Sequence, residues 1–291
     1  MEHREQTLQD YYKRINTVLE YINNNLGEKK IKLEKLAEVS NFAIRHLQRI
    51  MKAHLNETIG AYIVRTRLDT AAKLIIYSKE QISDIALNMG YLEISSFSKA
   101  FKKRFGISPN EYRKGTKEFY FNQINLMKTK KAETMELKEK IVNTNPKKVV
   151  FVQVIGYYSS NKPTEAWQKL WAYIEKNKLS GPEMEYYGII HDDTEITEAE
   201  KCRYDACITI DTDLKPEGQI GVKKIQGGKY AVFTYKGPYK NLNEIYNEIY
   251  GEWFPKSGVE LAETPLLEKY LNDPSETKPE DLLTEIYIPL K

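Results

Sequence analysis

Two segments of the first 113 residues repeat one another, and this duplication restricts the fold more than any other feature of the chain. The first reads LAEVSNFAIRHLQRIMKAHLNETIGAYI (36–63) and the second IALNMGYLEISSFSKAFKKRFGISPNEYR (85–113). With one residue inserted, Ala37 aligns with Ala86, Phe42 with Tyr91, Leu47 with Phe97, Arg49 with Lys99, Leu55 with Phe105 and Tyr62 with Tyr112. In each copy apolar residues recur at helical spacing on both sides of a short break, which reads as helix, tight turn, helix. Gly90 suits the left-handed conformation that ends a helix, and Asn41 is its usual substitute. Gly106 and Asn56 play the same part after the second helix of each copy, and Ser108-Pro109 starts a further one. Between the copies, 58–77 reads as one long amphipathic helix that holds them apart.

A pair of helix-turn-helix units has a physical use. The second helix of each can enter a DNA major groove, the two reading sites about 34 Å apart. On the first such helix the outward side chains are Arg45, Gln48, Arg49 and Lys52; Arg reads guanine and Gln reads adenine through bidentate hydrogen bonds. On the second they are Ile94, Ser95, Ser98, Lys99, Lys102 and Lys103, whose lysines suit phosphate. The alternative is that these are plain solvated faces. Charge favours a polyanion: residues 1–117 hold 21 Lys+Arg against 13 Asp+Glu, a balance of +8, whereas the remainder holds 23 against 28, a balance of −5. A basic front half joined to an acidic back half implies two different partners.

Residues 8–115 resemble the DNA-binding region of AraC/XylS-type transcription regulators. The resemblance rests on LAEVSNFAIRHLQRIMK, DIALNMGY, SSFSKAFKKRFGISPNEYR and the helix between them. It implies two recognition helices in successive major grooves of double-stranded DNA. Arg45, Gln48 and Arg49 would be base readers of the first helix, and Ser95, Ser98 and Lys99 their counterparts in the second. This chain departs from the family at Ala43, where a serine usually caps the recognition helix; losing that cap costs about 1 kcal/mol.

A chain of 291 residues fits two domains. No apolar run approaches the roughly 20 residues that span a bilayer, and MEHREQTLQDYYKR lacks a signal-peptide core. Two cysteines, Cys202 and Cys207, make neither a disulfide framework nor a zinc site, so the expected location is the cytoplasm. His191-Asp192-Asp193 lacks ligand spacing for a metal, no Gly-Lys phosphate loop occurs, and neither a cofactor nor a metal is expected.

Residues 116–132 read as a linker, and from Met135 the pattern turns to strands. MELKEKIV and KKVVFVQVIG are expected to form a hairpin about NTNP, followed by the helix PTEAWQKLWAYIEKN and the strands YYGIIHD and RYDACITI. The order recurs as GVKKIQ and KYAVFTYKG about Gly227-Gly228, a helix LNEIYNEIYGEWF, and the strands LLEKYLN and TEIYIPL. The expected fold is therefore multidomain. An all-α N-terminal domain (1–115) with two helix-turn-helix units precedes an α+β C-terminal domain (133–291), a duplicated ββαββ antiparallel sheet with two helices on one face.

Such a duplication leaves a groove on its pseudo-twofold axis, and aromatics are abundant around it: Trp167, Trp171, Tyr187, Tyr235, Trp253 and Tyr287 are the candidate lining. Strand alternation sets Glu285 beside Tyr287 on one face, and overlaying the two final strands places Asp205 opposite Glu285. One acid among rings suits a lipophilic cation, with a merely wet face as the alternative. Residues 135–291 resemble the GyrI-like, SOUL-related ligand-binding domain through YYGIIHDD, KCRYDACITI, YKGPY, GEWFPKSG and TEIYIPL. That resemblance implies an effector-binding domain, often for multidrug-type hydrophobic cations, in an aromatic cleft whose acid falls on Glu285. The joint expectation is a ligand-responsive transcription regulator, an activator working with RNA polymerase, and not an enzyme. The alternative is a GyrI-like hydrolase of reactive electrophilic compounds fused to a DNA-binding domain, with Glu285 as general base. A third reading is a drug-sequestering protein with weak DNA affinity.

Overall fold

A computed structural model describes residues 2–115, 139–179, 181, 184–212, 214 and 216–291. The expected linker at 116–132 lies outside them. The chain divides into two compact units, Met1–Arg113 with Leu214–Gly221, and Lys114–Asp213 with Val222–Lys291.

The first unit is helical: α1 (Glu2–Asn24), α2 (Leu33–Ser40), α3 (Ile44–Leu55), α4 (Ile59–Tyr77), α5 (Ile82–Asn88), α6 (Ile94–Phe105) and α7 (109–115). The duplicated pattern gives two helix-turn-helix units, α2–α3 and α5–α6. Asn41, Asn56, Gly90 and Gly106 all take the left-handed conformation at the expected breaks. A reciprocal cap starts α7: the Ser108 amide donates to Glu111 Oε2 at 2.8 Å and the Glu111 amide to Ser108 Oγ at 3.3 Å. Ala43, at the start of α3, makes no side-chain cap.

The long helix α4 differs from the amphipathic expectation, because it is buried on nearly every side between the two helix-turn-helix motifs. Its charges are therefore paired internally. Arg65 bonds Glu57 Oε1 at 2.7 Å and lies 3.6 Å from Asp69, while Asp69 accepts from Arg104 Nε of α6 at 2.5 Å. These contacts tie α4 to Glu57, just past α3 of the first helix-turn-helix, and to α6 of the second. Phe97 and Phe101 of α6 are fully buried, each contributing about 1.5–3 kcal/mol of hydrophobic stabilisation.

The second unit holds β1 (Glu139–Thr144), β2 (Lys147–Ile155), α8 (Lys162–Lys176), β3 (Tyr186–Ile190), β4 (Arg203–Thr209), β5 (Gly221–Ile225), β6 (Gly228–Lys236), α9 (Leu242–Glu248), β7 (Leu266–Tyr270) and β8 (Leu283–Leu290). A π turn, Ile249–Trp253, continues α9 into the short α10 (Phe254–Ser257). The eight strands form one sheet in the order β1-β6-β8-β7-β3-β4-β2-β5.

That order corrects the expected hairpins. Strand β1 pairs with β6 rather than β2, and β5 lies beside β2 rather than β6. Each repeat thus hands its first strand to the other repeat. The two short connections meet at Gly227: a Cβ there would lie 2.5 Å from the Thr144 carbonyl oxygen and 2.7 Å from the Pro146 nitrogen. Only glycine allows that approach of backbone to backbone. Turn-forming residues between two strands signal a reversal of the chain, and they do not say which strand lies alongside.

The central pair is β3 with β7, in the register Tyr186↔Tyr270, Gly188↔Glu268 and Ile190↔Leu266. Residues in the later strands of the repeats correspond at an offset of 80 (268 − 188, 285 − 205). Glu268 and its equivalent Gly188 therefore face each other across the pseudo-twofold axis. The turns obey the same offset: the Arg203 amide donates to the Asp192 carboxylate at 2.8 Å, as the Leu283 amide does to Asn272 Oδ1 at 2.9 Å.

Candidate functional site

In the helical unit, α3 buries Leu47, Met51 and Leu55. Arg45, Gln48, Arg49 and Lys52 project from its exposed side. The guanidinium of Arg49 lies 3.2 Å from His46 Nδ1, and His46 Nε2 lies 2.9 Å from the Tyr11 hydroxyl of α1. On α6, Ser95, Lys99, Lys102 and Lys103 are exposed and Ser98 is half-buried. The expected DNA-facing residues thus share the outward sides of two helices whose inner sides are fixed by packing.

In the sheet unit, the axis carries a buried carboxylate. Glu268, 5% exposed, lies on the helix-covered face. The Tyr246 hydroxyl of α9 donates to its Oε1 at 2.5 Å, and the Tyr270 hydroxyl to Oε2 at 2.5 Å. With its proton committed to Glu268, Tyr270 accepts from the Tyr204 hydroxyl at 3.1 Å, and Tyr204 accepts from the Trp167 indole at 2.9 Å. The Tyr239 and Trp167 rings stand 5.3 Å and 5.7 Å from Tyr270, edge to face. Trp167, Tyr239, Tyr246 and Tyr270 are half-buried around the buried acid. Gly188 makes room below: a Cβ there would lie 2.6 Å from the Tyr270 hydroxyl.

Burial pushes the Glu268 carboxyl above its usual range despite the two hydroxyl donors, which pull it down. Burial and the neighbouring carboxylate push Tyr246 and Tyr270 far up, and Tyr239 to about 12. A carboxyl held in rings and reluctant to ionise alone has the chemistry to pair with a cation that brings no water of its own.

The sequence-derived lining residues separate. Trp167 joins the Glu268 cluster. Trp171, one turn along α8, stands 5.3 Å from Tyr186. Trp253 packs on Phe233 at 4.9 Å, and the Tyr235 hydroxyl donates to the Pro238 carbonyl at 3.3 Å. Register places Glu285, Tyr287 and Tyr187 on the opposite face from Glu268. There Glu285 accepts from the Tyr287 hydroxyl at 2.9 Å. Neighbouring Glu185 gathers Lys147 at 2.5 Å, Lys269 at 2.6 Å and Tyr187 at 3.1 Å. Asp205, equivalent to Glu285, is on that face too, fully buried with His191 at 2.6 Å, Gln153 at 2.8 Å and Lys223. Sequence reasoning missed Glu268, Tyr204, Tyr246 and Tyr270. Overlaying the third strands, YYGIIHD on LLEKYLN, sets Gly188 against Glu268 and would have found the acid.

Residues 138–291 match the GyrI-like small molecule binding domain, and residues 36–115 match a helix-turn-helix domain. The chain belongs to the GyrI-like small-molecule-binding family and carries an AraC-type helix-turn-helix domain ahead of it. A DNA gyrase inhibitor of Erwinia billingiae is 30% identical over 153 residues, 52% of this chain and 95% of that protein. The F1 operon positive regulatory protein of Yersinia pestis is 34% identical over 99 residues, 34% of this chain; the match spans only 33% of that regulator. Among solved structures, the EcmrR–DNA complex in an EcmrR open-promoter assembly aligns over 90% of this chain and 99% of its own, with 14% identity and a TM-score of 0.49. No helix among the described residues is long and apolar enough to cross a membrane.

Proposed function

We propose that the chain is a ligand-responsive transcription activator. In this reading α3 and α6 enter successive major grooves of double-stranded DNA, while the cleft around Glu268 takes a hydrophobic cation as effector. One observation carries the effector assignment: a single buried acid sits on the pseudo-twofold axis among half-buried tyrosine and tryptophan rings. The Glu285 face fits less well, since Lys147 and Lys269 at the neighbouring Glu185 already balance the acidic charge there. The activating sense draws support from the helix-turn-helix relative named a positive regulatory protein. Binding rather than hydrolysis is the assigned chemistry, because both oxygens of Glu268 accept tyrosine hydroxyls instead of facing a water to be activated.

The test is a tryptophan-fluorescence titration of wild type, Glu268→Gln and Glu285→Gln with tetraphenylphosphonium and with neutral triphenylphosphine oxide. Cation affinity is expected to fall about tenfold or more in Glu268→Gln, the scale of a lost desolvated charge pairing, and to stay unchanged in Glu285→Gln. Loss confined to Glu285→Gln would move the site to the opposite face.

A further inference from the structure

The two recognition helices present different chemistry where a recognition helix comes closest to base edges, at its N-terminal end. In α3 that end is cationic, with Arg45 exposed in the first turn beside Ile44, 37% exposed, and Gln48 following. In α6 it holds no cation: the first is Lys99, the counterpart of Arg49, and the exposed polar residues before it are Glu93, Ser95 and Ser96. Ahead of it stand Leu92, 68% exposed, and Ile94, 49% exposed. Between them Glu93 accepts from the Ser95 hydroxyl at 3.2 Å, so that serine is turned toward its neighbour. These two large apolar side chains stand outside the buried core, whose α6 members are Phe97 and Phe101.

We infer that α6 reads its half-site through thymine methyl groups, taken up by Leu92 and Ile94, while α3 reads base edges by hydrogen bonds. The major groove exposes one apolar group, the thymine C5 methyl, and apolar side chains are its complement. The occupant is DNA because the same helix continues outward with Lys99, Lys102 and Lys103, whose charge matches the flanking phosphates. Glu93 adds discrimination, since a carboxylate there accepts from a cytosine amino group and repels a guanine O6. The inference rests on the DNA-reading role proposed above and specifies what the second helix selects.

The experiment uses the full chain. Its preferred duplex is selected from a random pool, and the α6 half is identified as the one whose base preferences survive Arg49→Ala. Each thymine of that half is then replaced singly by deoxyuridine, which deletes only the methyl, and affinity is measured for wild type, Leu92→Ala and Ile94→Ala. Wild type is expected to lose about four-fold at each contacted thymine, as one methyl returned to water implies. The matching alanine variant is expected to bind thymine and deoxyuridine duplexes alike. Both side chains are exposed, so the variants keep their core. If no thymine in that half matters, if the variants keep wild-type methyl sensitivity, or if they alter self-association and leave DNA affinity unchanged, the inference falls while DNA reading stands. If no duplex is selected at all, both fall.

Discussion

Glu268 is an acid without a twin. Its equivalent on the other side of the pseudo-twofold axis is Gly188; an acid in both places would set two carboxylates about 5 Å apart across one strand pair, where like charges repel. A lone acid whose pKa is raised by burial would make the proposed cation binding proton-linked, since the guest favours the ionised form. Affinity for tetraphenylphosphonium should therefore rise with pH through the raised value, while that of the neutral phosphine oxide stays level; titrations at pH 5 and pH 8 check this. Asp205 has the opposite sign. His191 and Lys223 hold its carboxyl well below the ordinary range against the pull of burial. Its contribution to stability is present above the unfolded-state value and is lost as pH falls through the folded one. Asp205→Asn should cost about 3–5 kcal/mol at pH 7, because it removes the buried carboxylate that offsets the largely buried Lys223 ammonium. Denaturant unfolding should show that gap closing in acid. Neither role is visible in a strand read by itself: alternation shows that Glu285 and Asp205 share a face with their neighbours, and only the helices decide which face carries the cleft.

Breaks between elements were plain in the sequence because backbone conformation restricts them. Asn41, Asn56, Gly90 and Gly106 stand where the chain must turn left-handed, and few other residues tolerate that. Partnership between elements was not plain, and the two expected hairpins failed on it. Local composition reports a reversal, whereas the neighbour of β1 is chosen by residues ninety positions away that complete the sheet. Local rules also say what an element lacks. Helix α3 starts at Ala43 without a side-chain cap, so Ala43→Ser should stabilise the helical unit by about 1 kcal/mol, with the added hydroxyl accepting a first-turn amide. Thermal unfolding with and without the substitution measures it; an unchanged or lower midpoint would mean that the turn forbids the cap geometry.

The whole molecule joins a basic helical unit to an acidic sheet unit, and regulation requires that their ligands influence each other. That influence is reciprocal: whatever factor a saturating cation imposes on DNA affinity, DNA must impose on cation affinity. Measuring both, by anisotropy of a labelled duplex and by tryptophan fluorescence, is expected to give equal factors different from one. A factor of one in both would mean that effector and operator are bound independently. The salt dependence belongs to the same scale, and replacing Lys102 or Lys103 by Ala should flatten the slope of log affinity against log salt by about one each. The exchanged strands have a consequence for how such a domain can be made or divided. Since each repeat completes its edge with a strand borrowed from the other, either repeat expressed alone would lack a neighbour for its second strand and expose a raw sheet edge. Two separate copies of one repeat could satisfy that need only by trading strands, as a swapped dimer does. The single chain is arranged like such a dimer with its halves joined, and joining them allows the two halves to differ on the axis, glycine in one and acid in the other.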